Sequence, residues 1–215
     1  MKAHSERIPD KNIRVFAGRP LYHHVAGVLE ASPLVERILI DTDSSRIAEE
    51  APRAFSKVRI IERPATLCGD FVSMNVIIEH DIGISGEQHF LQTHSTNPLL
   101  SQNTLEAAIR AYFDALPKFD SLFSVTRHQC RFFHPSGEAV NHNPRKLLRT
   151  QDLTPLYEEN SNLYIFSKQS FQASGNMRIG LKPQMFVMNK SEAVDIDEPE
   201  DWDLAQYLSE LRRLR

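Results

Sequence analysis

The sequence predicts an α/β protein built on a mainly parallel mixed sheet flanked by helices. Two observations carry this. Apolar, β-prone runs alternate with segments of helical periodicity along most of the chain, the pattern of a parallel sheet with helical crossovers. One stretch, residues 127–160, breaks the alternation and is rich in His, Arg, Asn and Pro. It is expected to be an inserted β-hairpin or arm on a single domain spanning 1–215.

The elements follow in order. Pro20 to Ala31 is predicted helical, with Pro20 at the first position, where its missing N–H costs nothing. Val35 to Asp41 is an Ile/Leu-rich strand. Asp43 is placed to cap a helix running to about Ala54, and Lys57 to Ile61 is a short strand. Phe71 to about Ile82 is helix and Gln88 to Thr93 strand. Asn103 to Leu116 is the clearest helix: Leu105, Ala108, Ile109, Phe113 and Leu116 fall on one face, and Asn103 with Glu106 has capping-box spacing. Asp120 to Thr126, Asn162 to Phe166 and Met185 to Met188 are strands. Pro199 to about Arg213 closes the chain as a helix with acids in its first turn and arginines in its last, the order its dipole favours.

A hydrophobic fraction of 41% gives material for a core, while a net charge of -3 argues against broad nucleic-acid or membrane attraction. A small anionic substrate needs only a local cluster of cations. No apolar stretch reaches about 18 residues, and residues 1–12 hold no apolar signal-peptide core, so the expected location is cytoplasmic. Cys68 and Cys130 make neither a disulfide framework nor a zinc site.

In an α/β sheet, ligands bind beyond the carboxyl ends of the strands. Two loops there carry charge in a chemical pattern. The first is residues 2–12, where Lys2, Ser5, Arg7 and Lys11 lie within ten positions. Cations and backbone N–H groups at close range are what a triphosphate requires, and the small residues Ala3 and Ser5 let backbone approach phosphate. The glycines of a Walker loop are missing, and a solvated N-terminus is the bland alternative. A loop of this kind follows a buried strand, and no apolar run precedes it here. Either the natural start lies upstream or the strand has been lost; in the second case the loop should be mobile and nucleotide binding weak.

The second loop is Val194-Asp195-Ile196-Asp197-Glu198-Pro199-Glu200-Asp201-Trp202. In extended backbone, Asp195 and Asp197 point to one side, about 6–7 Å apart. Mg2+ suits such a pair, because it accepts one or two carboxylates together with substrate phosphates. Helix-capping acids explain the later members of this run but not Asp195. Arg63 ends a strand and opens a loop closing at Asp70, where it can meet a nucleotide or form a salt bridge. Residues 92–99 leave another strand with many hydrogen-bonding groups. His23 and His24 are adjacent, which is not the spacing of a helical metal pair.

Taken in order, these segments resemble the acylneuraminate cytidylyltransferases, the CMP-sialic acid synthetases. Ser5, Ile8, Pro9, Lys11 and Asn12 match the opening motif, with Lys2 where that family has arginine. Ala17-Gly18-Arg19-Pro20-Leu21, Thr42-Asp43, Arg63-Pro64, Leu67 and Asp70 fit the next segments. Gln92-Thr93 through Asn97-Pro98-Leu99 follows with two extra residues, then Gln151-Asp152-Leu153, Tyr157, Asn160 and Tyr164-Ile165. Asp195 to Asp201 matches the closing aspartate pair. The resemblance spans nearly the whole chain and implies a Rossmann-like nucleotidyltransferase fold.

It also implies roles. Lys2, Ser5, Arg7 and Lys11 would hold CTP phosphates; Asn12, Arg63 and backbone near Val72 would contact the nucleoside. Gln92, Arg149, Gln151 and Tyr164 would lie near an acidic nine-carbon sugar, and Asp195 and Asp197 would bind Mg2+, with Lys11 joining them in catalysis. A homodimer is implied, with residues 127–160 reaching the neighbouring subunit. Two departures stand out. Lys2 keeps the arginine's charge without its bidentate fork, and Arg178 and Ile179 stand where some relatives carry an aromatic pair in the sugar pocket. Legionaminic, pseudaminic or another nonulosonic acid fits the resemblance. The alternatives are an enzyme for the eight-carbon acid of lipopolysaccharide, and a catalytically impaired nucleotide-binding relative.

Overall fold

The structure is a computed structural model that describes residues 1–2, 5–69 and 71–214; Ala3 and Asp70, two residues given roles above, lie outside the described residues. A tight hairpin comes first, β1 (Val15–Phe16) against β2 (Arg19–Pro20). Its turn places Ala17 at φ 46° and Gly18 at φ 91°, a left-handed pair in which glycine carries little strain. Pro20 therefore belongs to a strand, and α1 (Tyr22–Ala31) starts two residues later than predicted.

Next come β3 (Ile38–Thr42), α2 (Ser45–Ala54), β4 (Val58–Glu62), α3 (Met74–Ile84), β5 (His89–Thr93) and α4 (Gln102–Ala115). The caps differ from those expected. Ser44, not Asp43, accepts from the Ile47 N–H to open α2. Ser101, not Asn103, accepts from the Thr104 N–H to open α4, and Glu106 instead takes a bond from Gln102 at 2.9 Å. Ser73 opens α3, three residues after Phe71. In each case a serine beside the expected residue has the extended backbone that directs its hydroxyl at the helix.

The chain closes with β6 (Ser121–His128), β7 (Leu156–Ser167), α5 (Lys168–Ala173), β8 (Pro183–Val187) and α6 (Pro199–Arg213). Strands β6 and β7 pair from Ser121–Phe166 out to His128–Leu156, so the sheet takes both ends of the expected arm and leaves 129–155 as the projecting segment. Helix α5 was not foreseen; a reciprocal Ser167–Ser170 capping box builds it from an ordinary serine-rich run.

The sheet is in two parts. Strands β3 and β4 pair in parallel, and the larger sheet runs β5-β7-β6-β8. Within it β7 opposes its neighbours, so β5, β6 and β8 share one direction. Among the described residues β3 pairs only with β4, and β5 only with β7. Between these two unpaired edges runs a groove of about 1320 Å³, walled by Ile38 to Asp41 on one side and His89 to Thr93 on the other. The Met1 ammonium donates to the Asp41 carbonyl at the rim of this groove. Burial lowers its pKa to about 6.

One apolar cluster matters most for function. Ile8 of the opening loop, Phe16 of the hairpin, Leu99, Ile196, and Trp202 and Ala205 of α6 pack together. Trp202 meets Phe16 edge to face at 5.5 Å. Burying an isoleucine is worth about 1.5–3 kcal/mol, and Ile8 and Ile196 are 2% and 0% exposed. These two side chains join the first loop to the last.

Candidate active site

Burial of Ile196 decides where its neighbours go. Its side chain turns inward, and the flanking Asp195 and Asp197 are each partly buried on the same loop. Backbone bonds fix that loop from both directions: the Ile196 N–H donates to the Thr96 carbonyl at 2.9 Å, and Asn97 Nδ2 donates to the Val194 carbonyl at 3.3 Å. Asp201 accepts from the N–H groups of Asp197 and Glu198 at 3.0 and 2.8 Å. It is therefore a helix cap, as its place in the first turn implies.

The opening loop folds onto this segment. Lys11 Nζ donates to the Ile196 carbonyl at 2.7 Å and to Asp197 Oδ1 at 3.2 Å. Arg7 reaches Asp197 Oδ1 and Glu198 Oε1, each at 2.9 Å. Arg7 is half-exposed, and surface pairs of that kind contribute little to stability. Lys11 is 12% exposed, so its charge sits in a lower dielectric and interacts more strongly. Asn12 holds the loop together: its Nδ2 donates to the Lys2 carbonyl at 3.0 Å, and its Oδ1 accepts from Ser95 Oγ at 2.7 Å. Lys2, Ser5, Arg7, Lys11 and Asn12 all line the groove, together with Arg63, Val72 and Gln92.

The fit of a divalent cation can be judged from the carboxylates. Among the described residues, the buried Asp195 Oδ1 has no hydrogen-bond partner. An anionic oxygen left so costs free energy unless a cation or donor arrives. Asp197 is engaged by Lys11 and Arg7. Hard oxygen donors are the ligand set Mg2+ prefers, so the carboxylates present fit it. A different trio, Asp41, His80 and Asp81, also lies close enough to share an ion. There Arg63 already pairs with Asp41, and burial with repulsion from Asp41 pushes Asp81 up to about 7.

Arg63 is buried in that ion pair and also donates to the Asp41 carbonyl at 3.4 Å, which makes it a brace between the ends of β3 and β4. Val72 closes a short turn onto Gly69. Gln92 and Tyr164 face each other across the β5–β7 ladder. Arg149 and Gln151 are elsewhere, exposed on the projecting segment. The Arg149 guanidinium closes on Asp152 at 2.8 and 3.1 Å, and Gln129 donates to the Gln151 carbonyl at 3.4 Å.

Three contributors were not singled out from sequence. Ser95 fixes Asn12, and Glu198 shares Arg7 with Asp197. His94 meets Gln92 through its Nε2 at 2.9 Å. Burial holds its imidazole below the usual histidine pKa and Arg178 adds to this, while Asp195 and Asp197 pull the other way. His94 thus sits within electrostatic reach of both Arg178 and the closing aspartates. A lone histidine in a Ser/Thr/Asn loop gives no sequence signal for that position.

Comparison with known proteins places this geometry. The cytidylyltransferase family matches residues 1–215. A pseudaminic acid cytidylyltransferase of Campylobacter jejuni is 27% identical, over 95% of this chain and 91% of its own length. A CMP-N,N'-diacetyllegionaminic acid synthase of Legionella pneumophila is also 27% identical, over 99% of this chain and 94% of its own. Among solved structures, a CMP:2-keto-3-deoxy-manno-octonic acid synthetase complexed with CTP shares the fold, with a TM-score of 0.69 at 11% identity over 99% of this chain and 96% of that one. A 4-diphosphocytidyl-2C-methyl-D-erythritol synthase of Anaerococcus prevotii gives the same TM-score at 10% identity, over 97% of this chain and 93% of that one. With the opening loop locked onto the aspartate segment and the family matched from end to end, this chain belongs to the cytidylyltransferases.

Proposed function

We propose that this protein transfers CMP from CTP to the anomeric hydroxyl of an acidic nonulosonic sugar and releases pyrophosphate, with Mg2+ as cofactor. The observation that carries the reading is the convergence of Lys11 and Arg7 on Asp197, beside the unpartnered Asp195 Oδ1. Cations for a triphosphate and oxygens for its metal meet at the mouth of one groove. The named activities of the Campylobacter and Legionella relatives support the substrate class.

The sugar hydroxyl forms a bond to the α-phosphorus, the bond from that phosphorus to the bridging oxygen breaks, and the hydroxyl proton is lost. Alignment and charge stabilisation account for most of such a reaction. Lys11 and Arg7 balance the charge that accumulates on the leaving pyrophosphate. Asn12, tied to Ser95 and the Lys2 carbonyl, keeps the loop's backbone in place to meet phosphate. Mg2+, held by Asp195 and Asp197, would supply Lewis-acid neutralisation of phosphate oxygens. Gln92, on the groove wall, faces the sugar, and Tyr164 is buried beside it as support.

Homodimerisation through the projecting segment is part of the proposal. That segment exposes Phe133, Val140, Leu147 and Leu148, more apolar side chain than a solvated loop needs. Arg149 and Gln151 lie on it, and a dimer would let them serve a neighbour's sugar site. Among the described residues, no helix is long and apolar enough to cross a membrane, which is compatible with a cytoplasmic enzyme. Incubation with CTP, Mg2+ and a panel of nonulosonic acids, including the eight-carbon acid, reads the function directly as pyrophosphate release. Release with none of them, alongside measurable CTP binding, would show a nucleotide-binding protein without this activity.

A further inference from the structure

Arg178 occupies a position that the proposed chemistry has not yet used. It lies in the loop between α5 and β8, and three elements hold it. Its backbone N–H donates to Asn75 Oδ1 of α3 at 3.4 Å. Its Nη1 donates to Gln92 Oε1 of β5 at 2.9 Å, and its Nη2 donates to the Tyr164 hydroxyl of β7 at 3.0 Å. The guanidinium carbon lies 3.7 Å from the Tyr164 ring centroid, close enough for a strong cation–π contact. Tyr164 is itself fully buried, so the platform under the guanidinium is rigid.

The charge is incompletely balanced. Glu159 lies 3.6 Å from Nη2 and is 42% exposed, against 20% for Arg178. That contact is looser than the hydrogen bonds to Gln92 and Tyr164; Glu159 also accepts from the Tyr164 hydroxyl, and its other side faces solvent. A planar guanidinium carries five N–H donors and matches a carboxylate in two-point contact. Gln92, which Arg178 holds, lines the groove and meets His94 at 2.9 Å. Two residues on, the Thr96 carbonyl accepts from the Ile196 N–H, between the closing aspartates, so the strand end that carries Arg178's partner also anchors the aspartate segment.

We propose that Arg178 receives the carboxylate of the acidic sugar, displacing Glu159, while Gln92 and Tyr164 hold the guanidinium in place. The proposal rests on the cytidylyltransferase reading above. An aromatic pair at this place would recognise the sugar's apolar surface; an arginine recognises its anion. A phosphate of CTP is the other anion within the same chemistry, and the experiment separates the two.

The test measures pyrophosphate release by the unaltered protein and by Arg178→Gln and Arg178→Lys, using the preferred sugar acid and its methyl ester. The unaltered protein should favour the acid. Arg178→Gln should raise the KM for the acid by about 10- to 100-fold, the loss expected for a charge-assisted contact, leave the KM for CTP within about twofold, and abolish the preference for acid over ester. Arg178→Lys should recover part of that preference. An unchanged acid-to-ester ratio in a folded Arg178→Gln overturns the proposal, as does an increase in the KM for CTP as large as that for the sugar. Absence of pyrophosphate release from every acid with the unaltered protein refutes the underlying reading, and this inference with it.

Discussion

Lys11 Nζ lies 3.2 Å from Asp197 Oδ1, although 186 positions separate the two residues. With its bond to the Ile196 carbonyl at 2.7 Å, this contact connects the opening loop to the aspartate segment. Lys11→Ala removes the cation and strands a carbonyl and a carboxylate. Turnover should fall at least about 100-fold, with a raised KM for CTP. The melting temperature should drop by about 5 °C, the equivalent of one or two hydrogen bonds to a charged group. Steady-state kinetics and a thermal melt on the same preparation check both.

Asp195 presents the reverse case. Its buried Oδ1 lacks a partner, so the charge costs stability in the unliganded protein. Asp195→Asn should leave the melting temperature unchanged or raise it slightly, while turnover falls by roughly a thousandfold. Added Mg2+ should raise the melting temperature of the parent protein and leave that of the variant unchanged. Near-normal Mg2+-dependent turnover by Asp195→Asn would remove Asp195 from the metal site.

Asp81 gives a pH signature. Burial and the nearby Asp41 raise its pKa from 3.8 to about 7. Between those values the folded protein holds a proton that the unfolded chain releases, so this group's contribution to stability falls as pH rises and is lost above about 7. The Met1 ammonium, lowered to about 6, gives an opposite slope between 6 and 8, and His80 and Arg63 also face this site. Comparison with Asp81→Asn isolates the carboxyl. The variant should melt a few degrees above the parent at pH 8, keep less than half of that advantage at pH 5 and lose it only below about pH 3.8, measured by calorimetry at matched ionic strength.

The groove between β3 and β5 has two unpaired strand edges for walls, and the Met1 amine already bonds to the Asp41 carbonyl at its rim. An apolar segment of about five residues fused ahead of Met1 can run along both edges and complete their backbone hydrogen bonds. It should raise the melting temperature, protect the amides of Ile38–Thr42 and His89–Thr93 from exchange, and tighten CTP binding. A Gly/Ser fusion of equal length serves as the control. Equal behaviour of the two fusions would show that the phosphate loop is held in some other way.

The sequence by itself determined the alternation of strands and helices, because the period of apolar residues is a local property. It determined the charge order of α6, and it marked the opening loop and the Asp195–Asp197 segment as the places where unusual chemistry concentrates. Helix starts were less legible: Ser44, Ser73 and Ser101 cap where Asp43, Phe71 and Asn103 were expected, since a cap depends on backbone angles that neighbouring polar residues compete to adopt. Only the tertiary structure decided which charges meet. Ile8 and Ile196 bury into one cluster, and that packing brings Lys11 to Asp197. The pairing of β5 with β7 sets Gln92 beside Tyr164, and the loop after α5 lays Arg178 across both. Arg63, expected to meet a nucleotide or form a salt bridge, lines the groove and pairs with Asp41, because β3 and β4 pair in the register that joins their ends. Local pattern thus set the elements, and burial of a few isoleucines and the register of two ladders set the site.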